Sequence, residues 1–506
     1  MLTATVFIPL IAGLALMLMR EAGRDQLFKV AYYSAGVSFV LSLVVLMGFD
    51  LEHAGMQFVE TALWVPLLNI RYEVGVDGIS LWLVVLTTFL SVLAVKSAQD
   101  EERNPRYFLA LMLLLESGTL GVFVALDTIL FYVFWELMLI PTYFLIGLWG
   151  EGRRVYATTK FVIYTLVGSL LMLVAIVWLT MIHYHATHEL TFDLQTLLHT
   201  HVPEEIQWYL FGFFFLAFAI KVPVFPFHSW LPHTYVATPI PVLILLTGAM
   251  SKTGTYGFLR FCLPLFPEAT REFAVWIGMM AAGGMVYGAW IAVAQRDLKS
   301  LVAYSSISHL GFIVLGIFAV NGNALNGSVL QMVNHGIIAS ALFLIVGMLE
   351  KRMGTRNLDN FCGLKARMPM LYAMFMLLTL AALGLPGLNG FVGEFLILMG
   401  VWTSHPLDEM SVIYVFLGGL AIVLASVYML YMFQGAMQES TIKLPANLKD
   451  IDRREQSLLL PACILVVFIG LFPGLFIERV EPAVQHVLHV EKTVNLPDPS
   501  RSHGGH

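Results

Sequence analysis

Residues 208–230 read WYLFGFFFLAFAIKVPVFPFHSW. An apolar run ends in Lys221. Pro223 and Pro226 follow it directly, and Pro232, Pro239 and Pro241 lie beyond. About twenty apolar residues suffice for a helix to cross a bilayer. Proline in a helix interior removes a backbone donor and clashes with the preceding turn. Carbonyls freed in this way at membrane depth are tolerated only inside protein or beside water. The stretch therefore predicts a membrane helix that breaks beside a charge. A second such place is Leu383-Gly-Leu-Pro386-Gly-Leu-Asn-Gly390, four residues before Glu394. Simple proline kinks are the other reading of both.

The rest of the chain agrees with a membrane setting. Of 506 residues 58% are hydrophobic and 12% charged, whereas soluble domains carry ~25% charged residues. A formal net charge of −6 leaves no basic footprint for nucleic acid. Cys262, Cys362 and Cys463 are far apart and form no CxxC, which argues against an iron–sulfur cluster, a cysteine zinc site or a disulfide framework. Residues 4–19 lack a basic flank and a small-residue cleavage site, so they read as a first membrane helix rather than a signal peptide.

Fourteen apolar segments can be marked out, at 4–19, 29–49, 79–97, 107–126, 128–149, 158–182, 208–230, 238–265, 273–294, 298–320, 325–349, 369–402, 410–434 and 457–478. The connections between them read as short turns, and the polar stretch 183–207 reads as a loop, with no room for a soluble domain. Twenty of the 28 Lys and Arg residues, Lys299 among them, fall in odd-numbered connections. Six, including Arg260, fall in the even ones and the C-terminal tail. By the positive-inside rule both termini then face the non-cytoplasmic side.

Seven ionisable groups fall inside these segments: Glu116, Glu136, Lys221, Lys252, His309, His335 and Glu394. Each charge at bilayer depth costs ~2.5–3.5 kcal/mol even on the lenient insertion scale. A buried ion pair or a hydrogen-bonded strut explains any one of them, and lone histidines are commonly satisfied core residues. Seven in a row are harder to explain by stability, because buried pairs are weak stabilisers. Burial shifts amines and carboxyls toward exchanging protons near neutrality, and histidine does so unaided. The row therefore predicts proton transfer across or along the membrane plane. A repeat accompanies it: Glu136 and Lys221 are 85 residues apart, as are His309 and Glu394. Five segments per unit make the repeat inverted, although the helix breakers do not superpose at this offset. The divisions expected are 1–106, three helices; 107–265 and 266–434, the two repeats; and 435–506, a last helix and a polar tail.

Weaker signals are soon disposed of. His183, His185, His188, His199 and His201 read as a solvated outer loop rather than a metal site. The tail His503-Gly-Gly-His506 reads as disordered, and no phosphate or dinucleotide loop is present.

The strings FYVFWELMLIP (131–141), AFAIKVPVFPFHSWLPHTYVATP (217–239), LLTGAMSKTGTYG (245–257), RDLKSLVAYSSISHLG (296–311), MVNHGI (332–337) and LPGLNGFVGEF (385–395) resemble the antiporter-like membrane subunits of respiratory complex I. Within that family Glu394 favours the M-type branch, since the L and N types place a lysine there, and the long lateral helix of the L type is missing. The resemblance implies an all-α integral membrane protein of about fourteen transmembrane helices, with two inverted five-helix repeats and broken helices seven and twelve. It implies that Glu136 pairs with Lys221, and that Lys252 connects through His309 and His335 to Glu394, a far exchange point. Glu116 matches a further family carboxylate. It implies no cofactor in this chain, with FMN, iron–sulfur clusters and quinone in partner subunits, and L- and N-type chains as neighbours in a bacterial inner membrane. Alternatives are a multi-subunit cation/proton antiporter, whose D-type chain shares the glutamate, a hydrogenase- or formate-linked membrane arm, and a structural membrane scaffold.

Overall fold

A computed structural model describes residues 1–361, 363–438 and 448–493. Cys362, Lys443 and the histidine tail lie outside them. Helices account for most of the described chain: α1 (Leu2–Leu18), α2 (Arg24–Met47), α3 (Gly78–Ser97), α4 (Pro105–Val124), α5 (Thr128–Trp149) and α6 (Arg154–Thr187). Then come α7 (Glu204–Lys221), α8 (Trp230–Ala237), α9 (240–265), α10 (Pro267–Val293), α11 (Leu298–Phe318) and α12 (Gly322–Met353). The last are α13 (Pro369–Ala382), α14 (Asn389–Trp402), α15 (Ser411–Met437), α16 (Arg453–Leu471) and α17 (Gly474–Thr493).

Local chemistry sets many of the starts. Asp77 accepts from Ile79 and Ser80 in a capping box that opens α3. Asp127 caps α5, Asp297 caps α11 and Asn321 caps α12. Such side chains satisfy backbone donors that have no partner within the helix. Pro105, Pro267 and Pro369 stand at first helical positions, where the missing N–H costs nothing.

Among the described residues ten helices are long and apolar enough to cross a membrane. The other four predicted segments are short or interrupted. α1 has 17 residues. α7 ends at Lys221, and Val222–Ser229 separate it from α8. α13 and α14 are separated at 383–388, where Gly384 (φ +78°) and Gly387 (φ +93°) take left-handed conformations that side chains disfavour. α9 is interrupted by two π-turns, Leu246–Met250 and Phe258–Cys262, which straddle Lys252.

Four readings of the sequence need correction. The 50–77 connection is no short turn: Gln57–Val65 (β1) and Ile70–Val76 (β2) form an antiparallel hairpin. The segment 457–478 divides at Pro473, and a separate amphipathic helix, α17, follows, because its polar face carries Glu478, Arg479, Glu481, His486 and His489. Arg260 is not in a connection; it is buried in α9, and Lys299 is buried at the start of α11. The 183–207 stretch is partly ordered into the body: α6 runs on to Thr187, and buried His183 bonds Thr200 Oγ1 through Nδ1 at 2.8 Å.

Candidate functional site

Lys252 lies just after the first π-turn of α9 and is fully buried. Ser251 Oγ also donates to the Thr247 carbonyl within this turn, at 2.9 Å. Lys252 Nζ donates to Thr247 O (2.5 Å) and Ser251 Oγ (3.2 Å), and lies 2.7 Å from His335 Nδ1 on α12. An ammonium has three N–H groups, and three acceptors are in place. The His335 and His309 ring centroids are 5.8 Å apart. His335 Nε2 is buried without a partner among the described residues. His309 Nδ1 lies 2.8 Å from Glu394 Oε1 on α14, and its Nε2 lies 3.5 Å from the Tyr428 hydroxyl. Gln331 Nε2 donates to the same Glu394 oxygen at 3.2 Å. Four of the seven predicted residues, drawn from α9, α11, α12 and α14, thus form one buried polar string.

The other three are arranged differently. Lys221, the last residue of α7, is buried with its ammonium 5.1 Å from the Trp135 ring centroid and 5.8 Å from that of Phe161. Glu136 acts on it electrostatically. No ion pair within 4.0 Å joins the two among the described residues, and Glu136 Oε1 is buried without a hydrogen-bond partner. Glu116 on α4 is buried, with neither carboxyl oxygen hydrogen-bonded among the described residues. The structure therefore brings Glu136 near Lys221 without bonding them, and leaves Glu116 apart from the string.

Residues 125–421 match the family described as NADH:quinone oxidoreductase/Mrp antiporter, TM. The chain belongs to this family. It is 36% identical over 496 residues to NADH-quinone oxidoreductase subunit M of Rickettsia bellii, covering 96% of this chain and 98% of that one. It is 39% identical over 487 residues to the subunit M of Pseudomonas aeruginosa, covering 92% and 93%. A chain of respiratory complex I from Thermus thermophilus superposes with a TM-score of 0.87 at 32% identity, covering 97% of this chain and 100% of that one. The Mrp complex of Dietzia shares the fold, with a TM-score of 0.81 at 24% identity over 97% of this chain and 52% of that one.

Several polar residues of this family member escaped the sequence reading. Arg260 pairs with Asp77 at 2.6 Å, both buried, and its Nε donates to the Tyr256 hydroxyl at 3.1 Å. This joins the end of α9 to the start of α3. Lys299 Nζ donates to the Thr238 carbonyl at 3.0 Å, closing the end of α8. Gln331 and Tyr428, which flank Glu394 and His309, are uncharged at neutral pH and were passed over in a search for charges. The spacing Gln331, Asn334, His335 along one helix face was the available signal.

Proposed function

We propose that this chain is the M-type proton-translocating subunit of a NADH:quinone oxidoreductase, with electron transfer carried by FMN, iron–sulfur clusters and quinone in partner subunits. The observation that carries the reading is the string Lys252–His335–His309–Glu394, buried throughout and hydrogen-bonded at both ends. It carries an ammonium at one end and a carboxylate at the other. A proton leaving Lys252 Nζ for His335 Nδ1, and another passing from His309 Nδ1 to Glu394 Oε1, neutralise the two ends. His335 then gives its Nε2 proton to His309 Nε2, so both rings end neutral. Lys221 with Glu136 forms the loading pair, and Glu116 is a further carboxylate on the same route.

A fourteen-span topology with both termini non-cytoplasmic is part of the proposal, and contacts between connections support it. On one face Arg24 meets Glu102 (3.8 Å), Arg356 meets Glu151 (3.4 Å) and Asp297 (3.1 Å), and Asp100 meets Lys351 (2.9 Å) and Arg454 (2.7 Å). The Glu151 N–H donates to the Ala237 carbonyl at 2.8 Å. Every one of these joins two odd-numbered connections. On the other face Asn69 donates to Leu190 O (2.9 Å), Leu126 N to Glu73 O (2.9 Å) and Ser404 to Ala319 O (2.8 Å), joining even ones. A missing or extra crossing would scramble this segregation. The arginine-rich face is then cytoplasmic in a bacterial inner membrane, with L- and N-type chains as lateral neighbours.

The test is Lys252→Met in the assembled complex, with assembly checked by native gel. Proton uptake and NADH oxidation, measured together in sealed vesicles, should both fall by about tenfold or more, the equivalent of losing one charge-assisted hydrogen bond in the transfer step. Wild-type rates for both in a fully assembled complex would sink the reading.

A further inference from the structure

We infer that Gln331 is a positioning residue that holds the Glu394 carboxylate as an acceptor facing His309 and ties it to the break between α13 and α14. The inference rests on the proton-transfer reading above and deepens it.

Donor accounting fixes the arrangement. The Asn334 amide has two N–H groups. It donates to the backbone carbonyl of Asn389 at 2.7 Å and to Gln331 Oε1 at 3.3 Å. Both of those oxygens can only accept. With its oxygen turned to Asn334, Gln331 must turn its NH2 to Glu394, and it donates to Glu394 Oε1 at 3.2 Å. That oxygen also faces His309 Nδ1 at 2.8 Å. Two nitrogens thus converge on one carboxylate oxygen, and one of them, Gln331 Nε2, can only donate. A hydrogen bond to an ionised acceptor is about twice as strong as one between neutral groups. Gln331 therefore favours the arrangement with the proton on His309 Nδ1 and the charge on Glu394, the acceptor state from which transfer starts.

The surroundings are built around this contact. Gln331 and Asn334 are 2% and 0% exposed, so bulk solvent does not reach them. A Cβ at Gly393 would lie 2.3 Å from Gln331 Oε1, so glycine is needed there to admit the amide. Asn389 is the first residue of α14, and a Cβ at Gly384, in the break itself, would lie 3.4 Å from Glu394 Oε2. The carboxylate is thus referenced to the break through Gln331, Asn334 and Asn389. Movement at the break would move the donor and so change where the proton rests. The titratable groups facing Glu394 are His309 of α11 and Tyr428 of α15, with His335 of α12 and Lys252 of α9 next along the string. α16, which also packs on α14, carries no charged residue after Glu455, and α13 carries none at all.

Two substitutions test this in the assembled complex. Gln331→Leu keeps the volume and removes the donor, so the proton comes to rest on Glu394, the acceptor state is depopulated, and proton-coupled NADH oxidation should fall about tenfold, the equivalent of one charge-assisted hydrogen bond. Gln331→Glu keeps the shape, and donates only while its new carboxyl is protonated. Its turnover should match wild type at the acid end of the range and fall about tenfold toward the alkaline end, with the decline absent in wild type. If Gln331→Leu does not assemble, the pH profile of Gln331→Glu is the test. A Gln331→Glu complex with the rate and pH profile of wild type would overturn the role of Gln331, provided Glu394→Gln is inactive in parallel. A fully active Glu394→Gln would instead overturn the proton string, and Gln331 with it.

Discussion

Glu136 with Lys221, and His309 with Glu394, are separated by the same 85 residues, yet they are held in opposite ways. The second pair is bonded at 2.8 Å inside an amide scaffold. The first is joined by no ion pair within 4.0 Å among the described residues, and its lysine lies over the rings of Trp135 and Phe161. The breaks explain much of this. In α7 the break follows the lysine, so Lys221 is the last helical residue and stands against aromatic walls. In α14 the break precedes the glutamate, which sits inside a regular helix flanked by α11 and α12. Equal sequence spacing therefore does not give equal chemistry: one pair is hydrogen-bonded inside an amide scaffold, and the other is joined by no ion pair among the described residues.

The sharpest test of that contrast is stability. Glu394→Ala should leave His309 Nδ1 and Gln331 Nε2 buried without their acceptor, and removing one partner of a buried pair costs ~3–5 kcal/mol. Thermal unfolding of the detergent-solubilised complex should register a clear loss, together with loss of pumping. Equal stabilities for Glu394→Ala and wild type would break the contrast.

Glu136→Ala breaks no ion pair found among the described residues, so the complex should assemble and melt close to wild type. Proton uptake and coupled quinone reduction should nevertheless fall together, by about tenfold, because the loading charge beside Lys221 is gone and a blocked pump stalls the redox steps linked to it. Glu136→Asp should retain part of both activities. An assembled Glu136→Ala complex that pumps at the wild-type ratio and rate would make Glu136 a structural strut.

Trp135→Leu gives a smaller effect. A buried ring under an ammonium contributes ~0.5–2 kcal/mol, so turnover should change severalfold while assembly is kept. No change in turnover would mean that the aromatic wall is packing alone. The least disruptive experiment tests orientation: a cysteine-reactive label on an engineered C-terminal tag should react only from the non-cytoplasmic side, and reaction from the cytoplasm would put the crossing count off by one.

The membrane setting, the two breaks and the seven ionisable groups, six of them buried, were legible in the chain itself, because composition and proline chemistry are local properties with a large free-energy scale. The β1–β2 hairpin was missed because Glu60, Asn69, Arg71 and Glu73 cut its apolar residues into runs too short for a membrane helix, and α17 was merged with the span before it because Pro473 interrupts an apolar run without ending it.

The kind of each group on the string follows from residue identity alone, for a lysine can only donate and an ionised carboxylate can only accept. Which of them touch required the assembled helices. A contact at 2.8 Å between His309 and Glu394, and its lack between Glu136 and Lys221, depends on helix rotation, on the π-turns around Lys252 and on glycines that let Gln331 reach α14. These are differences of a few ångströms between segments far apart in sequence, and no local preference encodes them.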